Sequence, residues 1–316
     1  MKIEIKKISH TFSKKTPWEF QALNGINASI QQGEYVGIIG STGSGKTTLI
    51  EHLNLLLEPT EGEIQWIFEE DIINKKTKEI KNQTTVVKFP KNDRNENKFQ
   101  KILHKLKREN KIKNINNLRK KVGIVFQFAE YQLFKNTIEE DIAYGPIAFG
   151  APKEEAYKRA AECLEMVGLP KEYLKRSPFE LSGGQKRRVA IAGILAINPD
   201  FMIFDEPTAG LDPVGVKDIL EIIEQINKKG QTIINVTHDL DHVLQYAKRV
   251  FLLNKGELIK DGDPYKILSD IKLLEENNLR PPKLLNFIFK LKQRGIEVPE
   301  VKSINELVDF INKGGK

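Results

Sequence analysis

The chain has 316 residues, of which 40% are hydrophobic and 29% charged, with a formal net charge of +7 and a sequence pI of about 9.1. A chain of this length can bury a core large enough to fold without disulfides or structural metals, and its single cysteine, Cys163, excludes a disulfide framework and a multi-cysteine zinc site. No apolar run is long enough to span a bilayer, and the first ten residues have no apolar core of signal-peptide length, so we expect a protein that stays in the cytosol.

The positive charge is concentrated in one segment. Residues 66–121 hold 17 basic and 7 acidic residues, a net charge of +10, whereas the other residues together have a net charge of −3. Within this segment, residues 74–118 are rich in Lys, Arg and Asn, which predicts a solvated polar insertion between two strands with few core residues. Residues 99–106 could add one or two amphipathic helical turns, and a contact with nucleic acid or anionic lipid is the alternative role.

Apolar runs alternate with amphipathic segments along the rest of the chain. This pattern indicates an α/β fold with a largely parallel sheet, because alternating strands and helices require crossover connections. In chain order it predicts a strand at 35–39, a helix at 46–57, a strand at 122–126, helices at 151–167 and 187–196, a strand at 201–204, a helix at 218–227, and strands at 232–236 and 251–253. A small helical tail follows Pro281-Pro282, with an apolar stripe formed by Leu284, Leu285, Ile288 and Leu291.

A phosphate-binding loop lies between the first of these strands and its helix. The sequence Gly40-Ser41-Thr42-Gly43-Ser44-Gly45-Lys46-Thr47 fits the pattern G-x-x-x-x-G-K-[ST], and Thr48 follows it. Its glycines allow the backbone N–H groups to surround phosphates, and the N-terminus of the next helix adds its positive dipole end. We expect Lys46 to reach the β- and γ-phosphates of a nucleotide and the Thr47 hydroxyl to bind Mg²⁺.

Four further polar residues follow predicted strands at the edge where this loop lies. Asp205 is expected to hold Mg²⁺, directly or through water, and Glu206 to polarise the attacking water as a general base. Gln127 can sense the metal or the water, and His238 can donate to a terminal phosphate. Each of them alone would more often be an ordinary polar residue, and the functional interpretation depends on the intact phosphate loop.

A second glycine motif precedes the helix predicted at 187–196. Ser182, Gly183, Gly184 and Gln185, after Leu181, can present hydrogen-bond donors and a helix N-terminus to an anion. Together with the phosphate loop, Gln127, Asp205-Glu206 and His238, this motif resembles the ATP-binding subunits of ABC transporters over residues 3–262. The resemblance implies a phosphate-loop NTPase fold, with a mostly parallel sheet core, an antiparallel β subdomain and a helical subdomain at about 128–195.

The resemblance to ABC transporter subunits also implies roles for individual residues. Two subunits of that family pack head to tail, so Ser182–Gln185 would serve the partner's ATP and not the nucleotide held by Lys46. Asp212, in the segment Ala209–Asp212, would communicate across the dimer. Phe12 would stack on adenine, with Trp18 and Phe20 as nearby alternatives.

Segments 16–19, 127–134, 177–180 and 190–193 are similar to energy-coupling factor (ECF) transporter ATPases, and are closest to the second of the two paralogous subunits. This implies an ABC ATPase domain at 1–280, which contains the basic insertion, and a helical dimerisation extension at 281–316. The segment after Gln127 corresponds to an extra helix of that family, in which Ala129 replaces a proline. The resemblance gives the insertion no role.

The ECF resemblance implies an ATP hydrolase that uses ATP and Mg²⁺ and powers uptake of vitamins or other micronutrients from the cytoplasmic face of the cell membrane. Its partners would be a paralogous ATPase, with a homodimer as the alternative, a transmembrane scaffold and a substrate-binding membrane subunit, and no specific nucleic acid. Two other functions remain open: a cobalt or nickel importer ATPase, and a soluble ABC-type ATPase acting on nucleic acid or ribosomes. The second usually has coiled-coil arms or two ATPase units in one chain, and this sequence has neither.

Overall fold

Two β-sheets organise the residues that the computed structural model describes, which are 1–73, 80–88 and 115–313. Their strands are β1 (Lys2–Phe12), β2 (Phe20–Gln31), β3 (Tyr35–Ile39), β4 (Glu61–Ile73), β5 (Ile80–Lys88), β6 (Val122–Val125), β7 (Phe201–Asp205), β8 (Thr232–Val236), β9 (Arg249–Asn254) and β10 (Glu257–Gly262). The larger sheet has the order β10-β9-β3-β8-β7-β6 and is parallel from β9 to β6, whereas the edge strand β10 is antiparallel. The smaller sheet, β2-β1-β4-β5, is antiparallel throughout. The predicted fold class is therefore confirmed.

Most helices pack on one face of the larger sheet, whereas the helix Lys46–Leu53 and the helical residues 115–121 pack in the core that this sheet shares with the smaller sheet. The helices are α1 (Lys46–Leu53), α2 (Ile138–Ala148), α3 (Lys153–Met166), α4 (Gly183–Ala196), α5 (Pro213–Lys228), α6 (Leu240–Tyr246), α7 (Pro264–Ser269), α8 (Ile271–Glu276), α9 (Lys283–Gln293) and α10 (Ile304–Asn312), and residues 115–121 are helical as well. Short 3₁₀ helices lie at Ala129–Gln132, Lys171–Lys175 and Pro178–Glu180. No helix within the described ranges has the length and hydropathy needed to cross a bilayer.

Helix boundaries differ from the predictions where a cap or a left-handed residue decides them. The first helix ends at Leu53 and not at 57, because Leu55 adopts φ 59° and the Glu51 carbonyl accepts the N–H groups of the next two residues. Two other helices begin four or five residues earlier than predicted, since the side chains of Ser182 and Asp212 cap α4 and α5. A cap side chain accepts an otherwise unpaired N–H of the first turn, so the helix can start at that residue.

Each parallel strand contributes to two cores, one on each face of the larger sheet. In β3, Tyr35 and Ile39 pack with the helices, whereas Val36 and Ile38 pack between the two sheets. Side chains alternate between the faces of a strand, so a strand covered on both faces is an unbroken apolar run. This explains why the short strands were recognisable in the sequence.

Two parts of the basic insertion are among the described residues, 80–88 and 115–118. Residues 80–88 form strand β5, which pairs with β4 from Gln65↔Lys88 to Ile73↔Ile80, and Leu118 is fully buried. The prediction that most of 74–118 is a solvated insertion with few core residues did not include this strand, whose backbone extends the antiparallel sheet. The helical turns predicted at 99–106 lie outside the described residues.

The apolar stripe of the helical tail is covered by the chain's own core. Leu284, Leu285 and Ile288 are 3–7% exposed and pack in the helical core cluster, with Leu291 against it. An apolar stripe can bind another subunit or pack against its own domain. Leu284, Leu285 and Ile288 do the second, whereas Leu291 stays partly exposed. A dimerisation role of residues 281–316 stays a prediction and would have to use other side chains.

Candidate functional site

The strand order brings four polar segments to one edge of the larger sheet. The phosphate loop follows β3, His238 follows β8, Asp205 ends β7 and Gln127 follows β6. These strands are adjacent in the order β3-β8-β7-β6 and parallel, so their carboxyl ends lie side by side. Ligands bind at this edge in open α/β sheets.

The phosphate loop is shaped by glycines and has an open helix N-terminus. Gly45 precedes α1 with φ +100°, and a Cβ there would lie 2.7 Å from the carbonyl oxygen of Ala22. No side chain caps α1, so the N–H groups of its first turn remain available to an anion. The Lys46 ammonium donates to the carbonyl oxygens of Gly40 at 2.8 Å and Ser41 at 2.9 Å, which holds it across the loop.

Lys46, Thr47 and Asp205 form the inner part of the site. The Thr47 hydroxyl donates to Asp205 Oδ2 at 3.3 Å. Burial raises the pKa of Asp205, and Thr47 and Lys46 oppose this shift. Burial lowers the pKa of Lys46, while the charges of Glu206 and Asp205 act in the opposite direction. The charged forms of Lys46 and Asp205 thus lose hydration and are stabilised by each other's opposite charge. The Thr47 hydroxyl beside the Asp205 carboxylate also offers a pair of oxygen ligands of the kind that Mg²⁺ prefers.

Glu206 and His238 form a hydrogen-bonded pair across β7 and β8. His238 Nδ1 donates to Glu206 Oε2 at 2.9 Å, in the tautomer that this contact requires. Glu206 adopts φ 48°, and its N–H donates to the Val236 carbonyl at 2.9 Å, which fixes the strained turn to β8. Left-handed non-glycine residues cluster at functional sites, because the surrounding structure must hold them there. The carboxylate is therefore held beside Lys46 and oriented by the histidine.

One cleft of about 470 Å³ contains both groups. It is lined by Gly40, Ser41, Thr42, Lys46, Glu206 and His238, and also by Asn278, Leu279 and Arg280. The last three were not expected here, since they lie between α8 and the double proline and no motif marks them. The N–H of Lys283 donates to Asp241 Oδ1 at 2.8 Å, which ties the segment after them to α6. Arg280 is exposed, so the tail adds a cation to the rim of the cleft.

The signature residues lie apart from this cleft. Ser182 caps α4 in a reciprocal arrangement: its hydroxyl oxygen accepts the Gln185 N–H at 3.4 Å, and the Gln185 side chain accepts the Ser182 N–H at 3.0 Å. Ser182 and Gly183 are exposed, and none of 182–185 is among the described residues that line the cleft. The hydroxyl hydrogen of Ser182 stays free to donate to a ligand outside the chain.

Four other predicted residues, Gln127, Phe12, Asp212 and Thr48, are not among the described residues that line the cleft. Gln127 is exposed and, in the described ranges, donates no hydrogen bond to Asp205 or Thr47. Phe12 is 37% exposed and lies edge-on to His10, 4.4 Å between ring centroids, while Trp18 and Phe20 are more exposed. Asp212 caps α5 by accepting the Gly215 N–H at 2.7 Å. Thr48, on α1, is linked through its carbonyl oxygen to His52 Nδ1 at 2.6 Å.

Arg187 is a buried cation that the motif analysis did not single out. It is 2% exposed and pairs with Glu130, behind the signature motif. Its position among the basic residues 186–188 gives no sign of burial, because charged residues on a helix are usually solvated. Only the fold shows that this one points inward.

Comparison with known proteins agrees with this geometry. Residues 23–209 match the family model described as ABC transporter. The chain is 56% identical to the energy-coupling factor transporter ATP-binding protein EcfA2 of Mycoplasmopsis synoviae, over 99% of this chain and 96% of that protein. It is 53% identical to the protein of the same name from Mycoplasmopsis pulmonis, with the same coverage.

Two solved structures show the same fold. The structure of cbiO1 from Clostridium perfringens, described as part of the ABC transporter complex cbiONQ, has 32% identity, a TM-score of 0.65, and coverage of 91% of this chain and 98% of that one. The ATP-binding cassette MJ0796, a dimer bound to ADP and Pi, has 29% identity and a TM-score of 0.61, with 83% and 98% covered. The chain therefore belongs to the ABC transporter ATPases and, within them, to the ATP-binding proteins of energy-coupling factor transporters.

Proposed function

We propose that the chain binds and hydrolyses ATP as one ATPase subunit of an energy-coupling factor transporter and drives uptake of a vitamin or other micronutrient through separate membrane subunits. The observation that carries this proposal is the cleft in which the phosphate loop meets the Glu206–His238 pair. Among the described residues the cleft is built around the phosphate loop, and we assign the choice of transported solute to another subunit.

Binding of ATP is the task of the phosphate loop and of an aromatic side chain. Lys46 and the open first turn of α1 bind the β- and γ-phosphates, with Ser41, Thr42, Gly43, Ser44, Thr47 and Thr48 around them. Phe12 stacks on adenine at the edge of the smaller sheet. Thr47, Asp205 and Gln127 would hold Mg²⁺, which neutralises charge on the phosphates. The hydroxyl-carboxylate pair fits this ion, and since the described residues contain no cluster of three acidic, His or Cys ligands, phosphate and water oxygens would complete the shell.

Hydrolysis is the task of Glu206 and His238. The Glu206 carboxylate accepts a proton from the attacking water, and Nδ1 of His238 keeps that carboxylate in place. When both of its ring nitrogens are protonated, His238 also donates from Nε2 to the terminal phosphate. Lys46, in the same cleft, offsets the negative charge that develops on the transferred group.

A second ATPase subunit completes each site. The exposed Ser182–Gln185 turn would bind the terminal phosphate of the ATP held by the partner. Asp212 would take part in communication between the two subunits across their interface. ATP then joins two surfaces that otherwise separate, so binding favours the closed dimer and hydrolysis reopens it. The relatives' name points to a paralogous partner, and we propose a heterodimer at the cytoplasmic face of a membrane scaffold.

A co-expression experiment tests this assignment. The chain carries an affinity tag and is produced with the paralogous ATPase, the membrane scaffold and the substrate-binding subunit, and the detergent extract is analysed by native mass spectrometry and ATPase assay. We expect recovery of the membrane complex with one copy of each ATPase, and loss of phosphate release with Lys46→Ala. Recovery of nucleic acid that high salt removes, without the scaffold, would instead support the soluble ATPase.

A further inference from the structure

One buried guanidinium joins three segments behind the signature motif. Arg187, on α4, donates from Nε and from one terminal nitrogen to the two carboxylate oxygens of Glu130 at 2.9 and 2.7 Å. Its other terminal nitrogen donates to the carbonyl oxygens of Pro207 at 3.0 Å and Ala209 at 2.7 Å. The planar fork of an arginine can satisfy a carboxylate and two carbonyls together, which the single ammonium of a lysine cannot do with the same geometry.

The partners of Arg187 lie next to the catalytic groups of the proposed site. Glu130 belongs to the 3₁₀ helix that follows Gln127, and Pro207 follows Glu206 directly. Ala209 begins the segment Ala209–Asp212. Arg187 therefore contacts both the segment that continues from Gln127 and the loop that continues from Glu206.

An aromatic contact reinforces this connection. The Phe128 ring lies 5.8 Å from the guanidinium of Arg187. A Cβ added to Gly210 would lie 3.5 Å from the edge of the same ring, so the loop backbone passes close to it. Residues 128–130 and 207–210 thus form one packed unit around Arg187.

The buried ion pair between Glu130 and Arg187 is better explained by the geometry it fixes than by a contribution to folding stability. Glu130 and Arg187 have side-chain exposures of 12% and 2%. Burial would raise the pKa of Glu130, but the hydrogen bonds and charge of Arg187 outweigh it and keep the pKa below its usual value. A buried ion pair contributes little net stability, because desolvation offsets much of the attraction. What it does provide is a fixed geometry among the groups that it joins.

The same 3₁₀ helix forms one wall of an apolar groove on the outside of the molecule. Ala129 and Leu133 line this groove of about 300 Å³, together with Tyr144 of α2 and Gly193 of α4. By the ECF resemblance, the segment after Gln127 corresponds to the extra helix that takes part in coupling to the transmembrane partner, and under the proposed function it would face the membrane scaffold. A displacement of this segment would have to stretch the bonds to Glu130 or carry Arg187 and the two carbonyls with it.

We propose that Arg187 is a positioning residue that couples segment 128–132 to the loop 206–212, so that the alignment of Glu206 depends on how that segment is held. The inference rests on the proposed function, in which Glu206 is the general base and segment 128–132 faces the membrane scaffold. The buried side chain of Arg187 would then link the scaffold-facing segment to the loop that carries Glu206.

Conservative substitutions in the assembled transporter test this link. Arg187→Lys keeps the charge and loses the fork, and Glu130→Gln keeps the shape and loses the charge. Arg249→Lys is the matched control: Arg249 also makes a forked pair, with Asp261 at 2.6 and 2.7 Å, and donates to a backbone carbonyl, but it lies at the amino end of β9, away from the cleft. Each complex is assayed for kcat and KM of ATP hydrolysis, and for its melting temperature.

We expect Arg187→Lys and Glu130→Gln each to lower kcat about tenfold, with KM for ATP within about twofold of the unmodified complex. Arg249→Lys should change neither constant by more than about twofold. The double variant should be no slower than the slower single variant, because both changes break one connection. Loss of kcat with an unchanged KM separates positioning from general damage, which would move KM and the melting temperature together.

Three results would overturn the inference: an Arg187→Lys complex as active as the Arg249→Lys control, losses that multiply in the double variant, or a KM that rises in step with the loss of kcat. If Arg187→Lys fails to fold, Glu130→Gln and its kcat decide. Failure of the proposed function looks different, since Glu206→Gln would then hydrolyse ATP like the unmodified complex. If Glu206→Gln is inactive while Arg187→Lys equals the control, only the coupling role of Arg187 is wrong.

Discussion

Replacing Ser182 by Ala separates the two roles that the structure gives to this side chain. As a helix cap, Ser182 accepts the Gln185 N–H, and its loss should lower the free energy of unfolding by about 1 kcal/mol. In a protein of this size that corresponds to a fall of roughly 2–4 °C in the melting temperature. As the proposed donor to the partner's phosphate, its hydroxyl contributes a hydrogen bond to a charged group, which is worth about 1.5–3 kcal/mol. The dissociation constant of the ATP-bound dimer should therefore rise about ten- to a hundredfold per site.

Thr137→Ala is the matched control for this experiment. Thr137 caps α2 in the same reciprocal arrangement, with Glu140 in the position of Gln185, but it is not part of the signature. Both substitutions are made in a Glu206→Gln background, which slows hydrolysis, and dimer formation is followed by analytical ultracentrifugation with and without ATP. Equal melting temperatures and a weakened dimer for Ser182→Ala alone are expected. If the two variants dimerise equally, the hydroxyl of Ser182 is only a cap and the assignment of the signature to the partner's ATP is wrong.

Further predictions concern the tail and the buried histidines. Arg280→Ala should raise KM for ATP several-fold with little change in kcat, because the cation lies at the rim of the cleft; an unchanged KM would place it outside the nucleotide's reach. Leu285→Ala should lower the free energy of unfolding by about 2–5 kcal/mol, whereas the half-exposed Phe287→Ala should cost less than about 1 kcal/mol and weaken subunit association if the tail dimerises. Burial lowers the pKa of His52 to about 4 from its ordinary value of 6.5, so below pH 6.5 the unfolded chain binds a proton that the folded chain does not. The free energy of unfolding, measured with urea, should therefore fall by about 2 kcal/mol from pH 7 to pH 5. His52→Gln should reduce that pH dependence, and an identical slope would show that other groups cause it.

The grouping of the candidate site residues at one edge of the larger sheet was predictable because they lie in short segments with fixed spacing. A glycine-rich turn after an apolar strand, and carboxylates at the end of another, require only that the strands be parallel and adjacent. The helix ends were less predictable, since Ser182 and Asp212 cap helices whose amphipathic pattern begins later. The cap, and not the pattern, fixes the first turn.

Contacts between segments that are distant in the chain could not be derived from the sequence. Arg187 meets Pro207 and Glu130 only after the helical subdomain has packed on the sheet, and the tail residues reach the cleft only because Lys283 is bonded to Asp241. The apolar stripe of the tail illustrates the same limit. A stripe on a helix shows that it will be covered, but not by which surface.

The hydrolytic carboxylate provides the most direct test of the account. Phosphate release is measured for the complex containing Glu206→Gln, with Glu224→Gln, a surface carboxylate of α5, as control, and bound ATP is counted in each. We expect Glu206→Gln to retain ATP, to accumulate the closed dimer and to slow turnover by about a hundredfold or more, because the amide cannot take the proton of the attacking water. The Glu224→Gln control should behave like the unmodified complex. Turnover by Glu206→Gln at the rate of the unmodified complex would contradict the account.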